Sequence, residues 1–510
     1  LNLPEAFTAH ISKTRGFMTS YENPYTHIST SEYRIGDEMT YLPILLESPK
    51  GTKVLFSESD VRDYPNMFLS PTGSNGFKSV FPKSPQAWEP RGDRGWNITK
   101  EYDCIARTDA QRTLPWRFAV IGTDATIAEN QMEVVLAGKC ELDDTSWIKP
   151  GKVNWDWWNH WTIWDVDFVA GINNDTYKYY IDFASKNGIE YVILDEGWSV
   201  NGAADLFQVV PEIDLEMLAR YASERNVGLI LWAGYWAFDR DMEKVCEHYS
   251  KMGIKGFKID FMDRDDQYMV DFHRRASETT AKYHMMADFH GSYKPTGLHR
   301  TYPNVVNYEG VHGLETMKWS DASVDQVTYD VTFPFIRMMA GQIDYTQGAM
   351  RNATKSNYHP VYNEPMSQGT RCRQLAQYVI FNSPLNMLCD SPSNYMREQE
   401  CLEFIAAIPT VWDETRALCG EVGKYIAMAR RSGEDWYVGG MTDWNERTLT
   451  LDLSFLPQGA YSVELYRDGV NADRRASDYK KEVFDLPLNG LLKVKMAPGG
   501  GFAAKIFIKR

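Results

Sequence analysis

Carboxylates and aromatic rings recur together in this chain just after short apolar runs. They stand in Asn154-Trp155-Asp156-Trp157-Trp158, Leu194-Asp195-Glu196-Gly197-Trp198 and Lys258-Ile259-Asp260-Phe261-Met262-Asp263. They return in Ala287-Asp288-Phe289-His290-Gly291 and in Asn307-Tyr308-Glu309-Gly310-Val311-His312-Gly313-Leu314-Glu315. Acids gathered without matching cations repel one another, so their assembly asks for a reason. A bound cation is one. The other is a pair of carboxyls that cleaves a glycosidic bond: one protonates the leaving oxygen, the second attacks the anomeric carbon or activates water. Rings beside them would stack on sugar faces. A single Asp after a strand could as well cap the helix that follows, but five such runs point to a shared site. In Lys258-x-Asp260 the two residues share one face of a strand. The Lys then favours the ionised Asp that a nucleophile needs, although a structural ion pair would look the same.

The elements that must bring these runs together lie in residues 149–415. Strands are predicted at 153–157, 191–194, 228–232, 256–259, 284–287, 305–307, 338–343 and 385–388, with helices over 175–187, 215–225 and 240–252. Eight strands in about 265 residues fit a (β/α)8 barrel, whose active site lies at the C-terminal strand ends. A doubly wound sheet is the competing fold, but no glycine-rich phosphate loop follows any strand. The flanks are β in texture. Residues 1–148 read as an N-terminal β-sandwich, with strands such as 53–56 and 117–121. Residues 416–510 read as a C-terminal β-sandwich, with 424–430, 436–439, 448–453 and 461–466. The predicted fold class is multidomain β + α/β: a central (β/α)8 TIM barrel between two all-β domains.

Composition agrees. A chain of 510 residues exceeds one hydrophobic core. With 54 Lys+Arg against 69 Asp+Glu the net charge is −15, which disfavours a nucleic-acid partner. Aromatics make up 13%, a supply that suits sugar stacking and core packing alike. No apolar run is long enough to predict a membrane span. The seven cysteines (104, 140, 246, 372, 389, 401, 419) form no CxxC pair and no disulfide framework.

Three runs carry a family resemblance: Leu194-Asp195-Glu196-Gly197-Trp198, Gly256-Phe257-Lys258-Ile259-Asp260-Phe261-Met262-Asp263, and the stretch from Lys294-Pro295-Thr296-Gly297 through Arg300-Thr301-Tyr302-Pro303-Asn304. With the segment Glu309-x5-Glu315, they resemble glycoside hydrolase family 97, over nearly the whole chain. The resemblance implies the same three-domain order, with an N-terminal domain usually longer than the 148 residues here. It also implies export to the periplasm or secretion, an expectation the chain itself does not carry. Inverting members, mainly α-glucosidases, have base glutamates after strands three and five. The matching positions here are Gly234 and Gly291, which cannot act as bases. Retaining members use an Asp at the end of strand four, which matches Asp260.

The resemblance therefore implies a retaining exo-α-glycosidase, most simply an α-galactosidase, with Asp260 as nucleophile and Glu315 as general acid/base. It implies Ca²⁺ held by Glu309, Glu315 and an acid from the N-terminal domain, for which Glu58 in Phe56-Ser57-Glu58-Ser59-Asp60 has the right context. Oxygen donors of this kind suit Ca²⁺ better than zinc. Asp195, Trp198, Lys258 and His290 are the expected substrate-binding residues. Asp156, Trp157, Asp263 and His312 are further candidates that could equally support the rim. The expected partner is an α-galactoside or related oligosaccharide. Alternatives are an inverting α-glucosidase of the same family, a β-L-arabinopyranosidase, and a catalytically silent carbohydrate-binding protein.

Overall fold

A computed structural model describes residues 1–509. The first segment is all-β. Its eight-stranded sheet runs, edge to edge, through Trp116–Gly122, Lys53–Ser59, Ile44–Glu47, Thr8–Thr14, Met39–Tyr41, Phe68–Pro71 and Phe77–Val80, with Tyr25–Ser29 also on Thr8–Thr14. The strand Thr8–Thr14 changes partners along its length. Thr8 to Ser12 pair with Tyr25–Ser29, whereas Lys13 and Thr14 pair with Met39–Tyr41, so the sheet turns a corner there. A separate hairpin of Pro85–Arg91 and Gly95–Glu101 leaves this sheet for the barrel.

Seven parallel strands form the barrel, in the order Val305–Tyr308, Met286–Phe289, Gly256–Asp260, Gly228–Gly234, Tyr191–Leu194, Gly151–Trp155, Leu385–Leu388. Alternation sorts their side chains. Leu229, Leu231, Phe257 and Ile259 pack outward with Ile181, Leu218 and Val245 of the helices. Val153, Trp155, Ile193, Ile230 and Met286 belong to the second buried cluster. Lys258 and Asp260 alternate with the outward Phe257 and Ile259, so they share the inner face. The predicted helices are found as Asn174–Asn187, Leu215–Ser223 and Tyr235–Met252.

Two strand predictions are corrected. The run at 284–287 begins two residues later, as Met286–Phe289, because His284 is in a left-handed turn at φ 53°. No strand forms over 338–343: Arg337–Ala340 is a 3₁₀ turn, and Gly341 has φ 131°. The next residues, 342–347, fill the place between the sixth strand and Leu385–Leu388 as an irregular extended segment. Asp344 N donates to Tyr308 O (2.8 Å) and Ile343 N to Asn382 O (2.9 Å). Below it the Asn307 side chain bridges the opening directly, Nδ2 to Leu385 O at 2.7 Å. The barrel therefore closes through side chain and irregular backbone at this one seam.

The last segment has a six-stranded antiparallel sheet of Glu414–Glu421, Tyr425–Ser432, Asp435–Thr442, Gly501–Ile508, Tyr461–Asp468 and Tyr479–Asp485. The pair Arg447–Asp452 and Leu491–Met496 covers it, burying Leu449, Leu451, Leu492 and Val494 against Val438, Val463 and Ile506. Its other face takes the helix Arg371–Ile380; a Cβ at Gly439 would lie 2.9 Å from Val379. All seven cysteines are free, and no described helix is long and apolar enough to cross a membrane.

Candidate active site

The strand-four end sets the geometry. Asp260 Oδ1 accepts from the Phe261 amide (2.6 Å) and Oδ2 from Trp232 Nε1 (3.1 Å), so both oxygens are oriented. Phe261 (φ 68°) and Asp263 (φ 53°) are left-handed non-glycine residues, a conformation that costs about 1 kcal/mol or more and is kept where surrounding packing enforces it. Gly291 supplies that packing. It lies at φ 52°, and a Cβ there would meet Phe261 N at 2.9 Å and Phe261 Cα at 3.0 Å. No side chain fits at 291 without displacing the backbone that holds Asp260. Gly234 is different: φ is −66°, and a Cβ would make ordinary contacts with Arg94 Cα (3.4 Å) and Asp93 O (3.5 Å). Those two atoms belong to the turn of the N-terminal hairpin, which lies over the strand-three end. The turn is held by Arg94 on Glu196, Arg91 on Asp263 and Asp93 Oδ2 accepting from Gly202 N (2.6 Å).

Lys258 and Asp195 form a buried ion pair of 2.9 Å, with side chains 2% and 4% exposed. Asp195 Oδ2 also accepts from Trp155 Nε1 (2.6 Å), and Lys258 Nζ sits 4.4 Å from the Trp155 ring centre. Burial alone would raise the Asp195 pKa; Lys258 outweighs it and the net shift is downward. Burial likewise opposes the charge on Lys258, but Asp195, Glu315 and Asp260 raise its pKa. The neighbouring Asp156 is pushed up to about 7 by burial and by Asp195, and accepts from Tyr177 OH (2.7 Å) and Trp161 Nε1 (3.0 Å). Asp156 supports the first strand end. His312 is also a support, its Nδ1 hydrogen-bonded to Glu22 O (2.8 Å).

Glu315 lies on the 3₁₀ turn Leu314–Lys318. Burial, then the adjacent Glu309, push its pKa well above the usual carboxylate range. Glu309 Oε2 accepts from Gly291 N (2.7 Å), and its Oε1 is 3.3 Å from His290 Nδ1. His290 Nε2 reaches Asp344 Oδ2 at 2.5 Å. Burial disfavours its charge, yet Glu309, Asp344 and Asp288 raise its pKa well above the ordinary value. One carboxylate oxygen each from Glu22, Glu309 and Glu315 lies within 4.8 Å of the others. Asp260, His290 and Glu309 make a second such group, so Glu309 stands between Asp260 and Glu315. Glu22 is pushed up to about 8 by burial and by Glu315. A trio of crowded carboxylates is a donor set for a hard cation.

Glu22, not Glu58, is the N-terminal acid of this group. Glu58 is fully buried elsewhere, accepting from Lys294 Nζ (2.7 Å) and Met67 N (3.0 Å) and paired with Arg117 (3.0 Å). Two cations already neutralise it. Trp198 is corrected too: its ring is buried in the outer layer against Tyr249, and its Nε1 donates to Trp232 O (2.9 Å), so it presents no face to the pocket. Trp232 and Asp344 were not anticipated. Trp232 ends the predicted strand 228–232, and Asp344 directly follows the run 338–343, which is predicted as a strand but does not form one. Glu22 stands in a polar loop, Ser20-Tyr21-Glu22-Asn23-Pro24, with no motif around it.

Three family models match the chain: "Glycosyl-hydrolase 97 N-terminal" over residues 1–138, "Glycoside hydrolase 97" over 157–311, and "Glycosyl-hydrolase 97 C-terminal, oligomerisation" over 411–507. A protein of Bacteroides thetaiotaomicron named "Retaining alpha-galactosidase" is 57% identical over 494 residues, 96% of this chain and 74% of that protein. A "Probable retaining alpha-galactosidase" of Streptomyces bingchenggensis is 30% identical over 415 residues, 79% of this chain and 60% of that protein. Among solved structures, a glycoside hydrolase family 97 enzyme of Pseudoalteromonas sp. strain K8 in complex with panose superposes with a TM-score of 0.84 at 26% identity, over 99% of this chain and 79% of that one.

Proposed function

From the premise that this chain belongs to glycoside hydrolase family 97, we propose that it is a retaining exo-α-galactosidase working through a glycosyl-enzyme on Asp260. The observation that carries this reading is the seating of Gly291 against Phe261, which leaves no room for a basic side chain at 291 and backs the loop whose amide orients Asp260 at the strand-four end. In the first step an Asp260 oxygen bonds to the anomeric carbon as the bond to the leaving oxygen breaks. Glu315, kept protonated by burial and by Glu309, gives its proton to that oxygen. In the second step ionised Glu315 takes a proton from water, the water oxygen bonds to the anomeric carbon, and Asp260 departs. The sugar leaves with its starting anomeric configuration.

Phe261 N–H and Trp232 Nε1–H hold the nucleophile in one orientation. The Lys258–Asp195 pair offers a donor and an acceptor to sugar hydroxyls, while His290, held between Glu309 and Asp344, positions those two carboxylates. Ca²⁺ fits Glu22, Glu309 and Glu315, all hard oxygen donors. When bound, the ion would offset the crowding of Glu22 and Glu309, while Glu315 still carries the proton that the first step needs. Mechanism-based labelling tests the assignment: a 2-deoxy-2-fluoro-α-galactosyl fluoride should leave one fluorosugar on the peptide containing Asp260. A label on another carboxylate, or none with turnover intact, overturns it.

A further inference from the structure

An aromatic strip leads from the pocket floor to solvent. Trp155, fixed to Asp195 and carrying Lys258 over its ring, stacks on Trp157 at 5.7 Å and 22°. Trp319 and Tyr362 then meet Trp157 edge-on at 6.1 and 6.4 Å, and they are 51% and 48% exposed. Lys318 stiffens this rim. Its Nζ donates to Trp157 O (2.6 Å) and Trp158 O (3.0 Å), and it sits 4.1 Å from the Trp157 ring centre and 4.4 Å from that of Tyr362. The rings are therefore held in place while two of them face water.

Their position relative to the acid indicates their occupant. Trp319 closes the 3₁₀ turn that carries Glu315. A general acid must lie at the leaving oxygen, so whatever that oxygen is attached to departs on the Glu315 side. Resting on the α-galactosidase reading above, we propose that Trp157, Trp319 and Tyr362 form the leaving-group site, which takes a flat-faced ring: the second sugar of an α-galactosyl disaccharide, stacked through its C–H face. Sequence alone does not show this, because the three residues come from separate loops.

The test compares wild type, Trp319→Ala, Trp319→Phe and Tyr362→Ala on an α-galactosyl-glucose disaccharide and on α-galactosyl fluoride, whose leaving group has no ring. The ratio of kcat/KM for disaccharide over fluoride should fall at least about 10-fold in the alanine variants, mainly through KM, and recover in Trp319→Phe. An equal loss on both substrates, or no loss on the disaccharide, overturns the proposal. Wild type that cleaves neither substrate refutes the α-galactosidase reading instead, and this inference with it.

Discussion

Replacing Gly291 by Ala puts one methyl group 2.9 Å from Phe261 N and 3.0 Å from both Phe261 Cα and Asp263 Oδ1, where ordinary contact begins at 3.4 Å. Two of those three atoms are backbone, so the strand-four loop has to give by about half an ångström. The amide pushed is the one that donates to Asp260 Oδ1 at 2.6 Å. Displacements of about 1 Å at a reacting centre cost on the order of 10²-fold in rate, so a shift of half that size should lower kcat by about 10-fold or more. The left-handed φ of 52° adds about 1–2 kcal/mol of destabilisation. Gly234→Ala is the control, with an ordinary φ and no contact under 3.4 Å; its kcat should stay within about 3-fold of wild type. Steady-state kinetics on an aryl α-galactoside, with urea unfolding of both variants, reads the two effects. If Gly291→Ala kept wild-type kcat, or Gly234→Ala proved the more damaging, the packing account of the nucleophile would be wrong.

Asp260→Gly should lose at least about 10³-fold in kcat/KM, and added azide should restore turnover with β-galactosyl azide as product, as gas or liquid chromatography would show. Lys258→Met leaves Asp195 buried and unpaired; urea unfolding should report a loss of about 3–5 kcal/mol, partly recovered in Lys258→Met/Asp195→Asn. Because burial and the neighbouring Glu315 raise Glu22 to about 8, a proton competes with a cation for the Glu22 carboxylate near neutral pH. Calorimetry should therefore find Ca²⁺ affinity rising from pH 6 to pH 9, with protons released; pH-independent affinity contradicts the trio. Glu58→Gln should leave that affinity unchanged and instead destabilise the protein, since Lys294 and Arg117 lose their charge partner.

The barrel was legible because its buried strands are short apolar runs at regular spacing, with acids and aromatics at their ends. Asp260, Lys258, Asp195, His290, Glu309 and Glu315 could be placed at one mouth from that pattern. The seam was not legible: residues 338–343 are as apolar as a strand, and only the backbone geometry at Gly341 shows that they turn. Trp198 misled because a ring three residues past a strand-end acid faces the helices as readily as the pocket. Glu58 and Glu22 are both acids in an N-terminal β-segment, and what separates them is tertiary. Lys294 and Arg117 neutralise one, and the loop carrying the other docks on the barrel through Thr19 N to Asp263 O (2.9 Å). The hairpin bearing Arg94 escaped notice for the same reason, since its contacts with Glu196 and Asp263 join segments far apart in the chain.

Retention through Asp260 is the centre of this account, and the anomer first released is its most direct measure. Proton NMR of an aryl α-galactoside digest, followed from the first minutes before mutarotation, should show α-galactose appearing first and β-galactose only later. β-Galactose as the first product would mean a single displacement by water and would contradict the role given to Asp260.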